Sequence, residues 1–217
     1  MKKILITGGT GFIGSHLVEK AVKKGHKVFV FDRYNPNFTL GNLTNSKYKK
    51  NIEFIFGDIR DYDSVYKSIK KVDYVFHLAA LIGIPYSYVA SKNYIDVNIS
   101  GVHNLLELAR NSNIQRFIQT STSEVYGTAQ FIPMTETHPI NPQSPYAASK
   151  ASSDHFVRSY KDTYLFPVII SNCSNNFGPN QFYEKLIPLV IKNIINNKSI
   201  PVYGDGKNIR DWLYIDD

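Results

Sequence analysis

Short apolar runs alternate along the chain with longer segments whose apolar residues recur at helical spacing. Lys3–Thr7, Lys27–Asp32, Ile52–Phe56, Tyr74–His77, Arg116–Thr120 and Val168–Ser171 read as strands rich in Ile, Val and Phe. Between them, Phe12–Lys24, Ser64–Lys70, Asn93–Asn111 and Tyr146–Tyr164 carry the helical period. Strands that are apolar along nearly their whole length are buried on both faces. The pattern therefore predicts an α/β fold, a doubly wound parallel sheet with helices on either side and ligands gathered at the carboxyl ends of the strands.

The polar, turn-prone stretch Phe131 to Pro145 reads as a loop within this domain. After Ser171 the pattern changes, and we place the domain boundary there, giving a dinucleotide-binding domain over 1–171 and a partial second segment over 172–217. In the second segment Asn175 to Pro179 reads as a loop, Glu184–Asn196 as a helix containing Pro188, and Ile200–Tyr203 and Asp211–Ile215 as short strands.

Composition narrows the class further. At 217 residues and 43% hydrophobic, the chain can bury one sizeable domain. No apolar run approaches a membrane span or a secretory leader, so a cytoplasmic protein with no membrane partner is expected. The net charge of +7 comes from scattered lysine pairs rather than one basic stripe. That argues against a nucleic-acid surface while still favouring an anionic ligand. The lone cysteine, Cys173, excludes an internal disulfide. The six histidines fall in different elements without zinc-motif spacing, and no metal is expected.

The first candidate chemistry is ILITGGTGFIG. Gly8, Gly11 and Gly14 lie between a strand and a helix, where absent side chains allow a tight turn and close approach of a pyrophosphate to the helix N-terminus. Asp32 ends the second strand about twenty residues on, where a carboxylate meets ribose hydroxyls and repels a 2′-phosphate. NAD is the expected cofactor; Arg33 next to Asp32 keeps NADP as the alternative. A structural glycine turn without cofactor is the bland reading, and the strand–turn–helix context disfavours it.

The second is Tyr146 and Lys150, one helical turn apart, where an ammonium beside a phenol favours the phenolate and makes a usable base. The spacing alone is worthless, since Tyr66/Lys70, Tyr88/Lys92 and Tyr203/Lys207 repeat it. Only Tyr146 opens a helix that follows the strand ending in Thr120-Ser121-Thr122, so only it can face a hydroxyl at a strand's carboxyl end. Thr122 would share the substrate oxygen that Tyr146 deprotonates. Glu124, two residues on, can act on a neighbouring carbon, with a surface carboxylate as the bland alternative.

With these residues assembled, the chain resembles the extended short-chain dehydrogenase/reductase superfamily, in the NAD-dependent epimerase/dehydratase group, and within it the nucleotide-sugar 4,6-dehydratases. SPYAASKASSDHFVRSY, SNCSNNFGPNQFYEKLIPLVIKNII, IPVYGDG and IRDWLYIDD resemble the dTDP-glucose 4,6-dehydratases. LAALIGIPYSY and STSEVYGTAQ look more like dehydratases of nucleotide-linked N-acetylglucosamine in legionaminic-type pathways. The resemblance implies a Rossmann domain and a hydro-lyase of nucleotide-sugar metabolism and polysaccharide biosynthesis, making a 4-keto-6-deoxy sugar nucleotide. Tyr146, Lys150, Glu124 and Thr122 keep the roles above, and Ser123 stands where the dTDP-glucose enzymes carry an acidic Asp.

The resemblance further implies that Phe12, Ile13, Asp58, Ile59, Leu78, Ala79, Ala80, Asn98 and Asn175 line the cofactor, Asp58 near adenine. Asn176, Lys185, Leu186, Pro201, Val202, Tyr203 and Arg210 match nucleotide-sugar contacts. Arg210 also suits a pyrophosphate on its own chemistry, and the aliphatic members could equally be core. A homodimer through 93–111 and 146–164 is implied. The Thr-Ser-Glu triplet also resembles UDP-glucuronate decarboxylases, and a nucleotide-sugar 4-epimerase stays open. Relatives continue past the segment matching RDWLYIDD, so the C-terminal substrate-binding part is expected to be incomplete, and an NAD-binding fragment without catalysis is the competing reading.

Overall fold

The computed structural model describes every residue except Phe38, Lys71 and Tyr203, that is 1–37, 39–70, 72–202 and 204–217. Two compact units divide the chain, Met1–Asn172 and Cys173–Asp217.

In the first unit the strands β1 (Lys3–Thr7), β2 (Lys27–Asp32), β3 (Ile52–Phe56), β4 (Tyr74–His77), β5 (Arg116–Thr122) and β6 (Val168–Cys173) form one sheet in the order β3-β2-β1-β4-β5-β6. The β3/β2, β2/β1, β1/β4 and β4/β5 pairings are parallel. The strand order reverses between β1 and β4. That reversal opens a crevice at the strands' carboxyl ends, where doubly wound sheets take their ligands.

Alternation within β1 explains the two-sided covering. Leu5 joins a core with Phe29, Phe31 and the buried faces of α2 (Tyr62–Ile69), α5 (Gly101–Arg110) and α6 (Pro145–Tyr164). Ile4 and Ile6 point the other way and join Val28, Val30 and Val18 of α1 (Phe12–Lys23). Each fully buried aliphatic side chain of this kind contributes roughly 1.5–3 kcal/mol, so both faces of the sheet are anchored before any loop is placed.

Helix boundaries follow their caps. Asp61 accepts the N–H of Asp63 and starts α2 two residues earlier than the apolar period alone indicates. Ser144 accepts the N–H of Ala147 at 3.0 Å and, with Pro145 in the first turn, sets the start of α6. The predicted helix 93–111 begins earlier, at Ser91, and is not uniform. α4 (Ser91–Tyr94) passes through a π-turn, Ile95–Ser100, into α5. A short helix absent from the sequence reading, α3 (Ile84–Val89), starts at Ile84 with proline in its first turn.

In the second unit β7 (Asn175–Phe177) pairs in parallel with β8 (Trp212–Tyr214), and α7 (Leu186–Ile195) lies between them in sequence. Two expectations are corrected here. Asn175 to Phe177 is a strand, not a loop, because Asn175 and Asn176 align with Trp212 and Leu213 and Phe177 packs edge-on to Trp212. Ile200 to Val202 forms no strand, and Tyr203 lies outside the described residues.

Candidate active site

The glycine loop between β1 and α1 is shaped by close contacts that no side chain would survive. Gly8 has φ +70°, its N–H donates to Phe31 O at 2.9 Å, and a Cβ there would lie 2.8 Å from Ala79 N. A Cβ on Gly14 would fall 2.2 Å from Gly8 O. The helix that follows has Gly11 at its N-cap with no side-chain cap, so its first N–H groups have no capping side chain and its positive dipole end faces the loop. An anionic group fits this cradle.

We expect Gly8→Ala to lower stability by about 2–3 kcal/mol, combining left-handed backbone strain with the backbone clash, and to abolish dinucleotide binding. Urea unfolding and a fluorescence titration with NAD check the two halves separately.

Asp32 is fastened beside the loop. Its Oδ2 accepts the Thr10 N–H at 3.0 Å and the Thr10 hydroxyl at 2.6 Å, and its Oδ1 accepts the Arg33 N–H at 2.8 Å. A carboxylate accepts about four hydrogen bonds, so these donors orient it without excluding ribose hydroxyls. Asp58 is gripped by Arg60, through Nε at 3.0 Å and Nη2 at 2.7 Å, and this guanidinium holds its carboxyl below the usual range. The Ile59 side chain is committed to the core, where it packs against Gly101.

At the β1/β4 crevice a residue absent from the sequence reading organises the backbone. The Thr7 hydroxyl accepts the N–H groups of Leu78 and Ala79, each at 3.2 Å, and lies 2.7 Å from Nδ1 of His77. Having accepted both N–H groups, the hydroxyl donates to Nδ1, which makes His77 the Nε2–H tautomer. Burial, and secondarily the Lys150 charge, push the His77 imidazole down to about 3. It is neutral at ordinary pH.

Asn98, in the π-turn, serves as a clamp. Its Oδ1 accepts the Leu81 N–H at 2.9 Å, and its Nδ2 donates to Leu81 O at 3.0 Å and to Ser149 Oγ at 2.9 Å. Ser149 in turn donates to the Tyr146 carbonyl at 2.7 Å. The loop after β4 and the first turn of α6 are thus tied to one amide. Tyr94 adds a second tie, since its hydroxyl donates to Gly83 O at 2.5 Å and its ring meets Tyr146 edge-on at 6.3 Å.

Tyr146 is 8% exposed and Lys150, one turn on, is 4% exposed. The Lys150 ammonium donates to Thr120 O at 2.7 Å, which fixes it against the end of β5. Thr122 ends that strand and caps the 3₁₀ turn Ser123–Tyr126 by accepting the Glu124 N–H at 3.2 Å. Thr122, Ser123 and Glu124 are each half-buried there. The strand end and the helix start therefore bring Thr122, Ser123 and Glu124 to the element against which Tyr146 and Lys150 pack.

The competing Tyr-x-x-x-Lys pairs differ in setting. Lys70 Nζ lies 3.8 Å over the ring of Tyr66, itself 43% exposed, and Tyr88 is 63% exposed. Neither has the strand end that gives Tyr146 its position.

The remaining candidates belong to the second unit. Asn175 and Asn176 lie on β7, where Asn176 Nδ2 donates to Ser174 O at 2.9 Å and its carbonyl accepts from Gln181 at 2.8 Å. Lys185 caps α7, 3.5 Å from Glu184, and Leu186 opens that helix. Pro201 and Val202 lie in an irregular stretch, and Arg210 Nη1 donates to Ile209 O at 2.9 Å. Among the described residues no group of three or more His, Cys, Asp or Glu side chains could hold a metal ion, and no helix is long and apolar enough to cross a membrane.

Thr7, Thr10, Tyr94, Ser121, Ser149 and Asp154 were outside the sequence-derived set. The available signal was polarity in the wrong place, since Ser121 and Asp154 are polar residues on the buried faces of β5 and α6.

Comparison with known proteins places this architecture. The family model described as GDP-mannose 4,6 dehydratase matches residues 5–217. A protein of Sinorhizobium fredii named probable dTDP-glucose 4,6-dehydratase is 42% identical over 99% of this chain and 65% of its own length. The crystal structure of DesIV, a dTDP-glucose 4,6-dehydratase from Streptomyces venezuelae with NAD and TYD bound, superposes with a TM-score of 0.90 at 37% identity, covering 99% of this chain and 68% of that one. UDP-glucuronic acid 4-epimerase from Bacillus cereus, in complex with UDP-glucuronic acid and NAD, gives 0.91 at 32% identity over 99% and 69%. This chain thus spans about two thirds of the length of the relatives it matches. A glycine cradle at the β1/β4 crevice, a β5 strand end facing the start of α6, and a match over nearly the whole sequence agree: the chain belongs to the GDP-mannose 4,6 dehydratase family.

Proposed function

We propose that residues 1–171 form an NAD-binding Rossmann domain, that 172–217 contribute to nucleotide-sugar binding, and that the protein is a nucleotide-sugar 4,6-dehydratase. Its substrate class is dTDP-glucose or a nucleotide-linked N-acetylglucosamine, and its product a 4-keto-6-deoxy sugar nucleotide. The observation that carries the reading is the opposition of Tyr146 and Lys150 at the start of α6 to Thr122 and Glu124 at the end of β5, beside the glycine cradle.

NAD would be held by the Gly8–Gly14 loop and Asp32, and it would supply hydride chemistry, taking up the C4 hydrogen with its electron pair and giving it back at C6. Tyr146 takes the O4 proton, helped by the Lys150 ammonium, while Thr122 orients that oxygen. The 4-keto group acidifies C5, and Glu124 removes the C5 proton and passes it to the departing O6, which leaves as water. The proton Tyr146 took from O4 balances the one C5 takes back.

Glu124→Gln keeps the shape and the 3₁₀ turn but removes this base. We expect turnover to fall about 10²-fold with NAD affinity unchanged. Incubation with dTDP-glucose, UDP-glucose and UDP-N-acetylglucosamine in the presence of NAD, followed for 4-keto product and water loss, tests the proposal. NAD binding without conversion of any nucleotide-sugar overturns it.

Ser123 supports a second reading. A serine hydroxyl is a poor acid for a departing 6-hydroxyl, whereas a 4-epimerase or a decarboxylase needs no such acid. Inversion at C4, or loss of carbon dioxide from UDP-glucuronate, without change at C6 would establish it. Under either reading we place the enzyme in the cytoplasm as a homodimer paired through 93–111 and 146–164, where Phe156 and Tyr164 are exposed on α6. Sedimentation equilibrium checks the pairing.

A further inference from the structure

Tyr146, Lys150 and Asp154 follow one another at four-residue intervals along one face of α6. The third carries a charge that the reaction above does not use. Asp154 is fully buried. One carboxylate oxygen accepts the hydroxyl of Ser121, the residue preceding Thr122 on β5, and the other accepts no hydrogen bond among the described residues. Asn172 of β6 lies beside the carboxylate and helps to lower it, while its Nδ2 donates to Thr122 O at 3.3 Å.

A buried carboxylate with an incomplete set of donors is costly unless a cation compensates it. Two cations face Asp154, Lys150 and Arg158, both from α6. Among the described residues the other groups named around it are uncharged. These are Ser121 on β5, Asn172 on β6, Tyr126 in the 3₁₀ turn, and His77 on β4, which faces Lys150 and is neutral. Burial raises the Asp154 carboxyl above its usual range, and the Ser121 hydroxyl, then Lys150 and Arg158, offset this only in part.

We propose that Asp154 is the buried counter-charge of Lys150, a positioning residue that sets how strongly the Lys150 ammonium favours ionisation of the Tyr146 phenol. This rests on the reading of Tyr146 and Lys150 as a base and its activating cation. With a rise of 1.5 Å per residue, Asp154 stands about 12 Å along the helix from Tyr146 with Lys150 midway. A carboxylate at roughly 10 Å opposes the phenolate through an effective dielectric near 20 by an amount worth about one pH unit. The base is thereby kept from ionising permanently, so the same group can return its proton.

The test is a titration of the Tyr146 phenol by ultraviolet difference absorbance, each protein against its own Tyr146→Phe counterpart so that the other tyrosines cancel. Asp154→Asn, which keeps an acceptor for Ser121, is expected to lower the Tyr146 midpoint by about one pH unit and to move the acid limb of the kcat profile by the same amount. Asp154→Glu, which retains a carboxylate, is expected to keep the midpoint above that of Asp154→Asn. Where Asp154→Asn fails to fold, Asp154→Ser carries the same expectation. An unchanged or raised midpoint in Asp154→Asn or Asp154→Ser overturns the proposal, as does an equal fall in Asp154→Glu. A wild-type midpoint near 10, the value of an ordinary tyrosine, that still falls in Asp154→Asn sinks the base assignment and leaves the counter-charge standing.

Discussion

Tyr146→Phe is expected to lower turnover by about 10³-fold, within the range general-base catalysis supplies, while NAD affinity and fold survive. The substitution removes one oxygen from a side chain that is 8% exposed and packed edge-on against Tyr94. The phenyl ring keeps that contact, and the Tyr146 carbonyl keeps its hydrogen bond from Ser149. The start of α6 is therefore retained, and the fall in turnover reports the lost transfer of the O4 proton. Steady-state kinetics should show the fall in kcat with KM changed by less than about threefold, and an NAD titration should overlay that of the wild type. A variant retaining a tenth of the activity would move the base elsewhere.

Tyr94 explains why that ring is so well placed, and it also shows what the sequence conceals. The period across 93–111 identified a helix but not its π-turn, because a one-residue widening leaves apolar spacing nearly unchanged. Yet Tyr94 immediately precedes the turn and Asn98 lies within it, and these two side chains fix Gly83, Leu81 and Ser149. Asn98 was legible as a residue of the crevice, whereas its job of tying two segments together was not, since its partners lie 17 and 51 positions away.

The strands β1 to β4 were legible to the residue, because the inner strands leave nearly continuous apolar runs and the edge strand β3 is broken only by Glu53. α3 was not. Its six residues include a proline and two tyrosines, too short and too aromatic for a helical period to register. The error at Ile200–Val202 has the opposite cause, an apolar pair followed by glycine that imitates a strand and its turn. β7 was missed because two asparagines and a following Gly-Pro read as turn chemistry, and only their alignment with β8 reveals the strand.

Within the site, the cofactor end was more legible than the catalytic supports. Gly8 and Gly14 announce themselves because backbone crowding admits no side chain there, and Asp32 because a carboxylate ending the second strand is the residue type expected to meet a ribose. Thr7, Ser149 and Asp154 belong to residue types found anywhere, and only tertiary neighbours give them meaning. His77 is the extreme case, a histidine that closes a buried strand as though it were apolar.

That burial makes His77 an acid-sensitive element of the fold. In the folded protein its imidazole titrates at about 3, and in the unfolded chain at the ordinary value of about 6.5. Between those limits the unfolded chain binds the additional proton, so stability rises with pH across the window. The contribution is complete above pH 6.5 and is lost progressively as pH falls towards 3, by about 5 kcal/mol in all. The carboxyls held low by Arg60 and Arg110, Asp58 and Glu107, also favour unfolding in acid, but only below their own ordinary range near pH 4. Asp154, whose carboxyl burial raises, acts in the opposite sense but equally in both proteins, so the difference between wild type and His77→Asn from pH 6 to 4.5 isolates the histidine. Urea unfolding there should give the wild type a slope steeper than that of His77→Asn by about one proton, or about 1.4 kcal/mol per pH unit. Asn can still accept the Thr7 hydroxyl, so that hydroxyl stays available to the N–H groups of Leu78 and Ala79. Equal slopes for the two proteins would mean that the imidazole is already protonated, or reaches water, in the native state, and that Thr7 is held by its backbone partners alone.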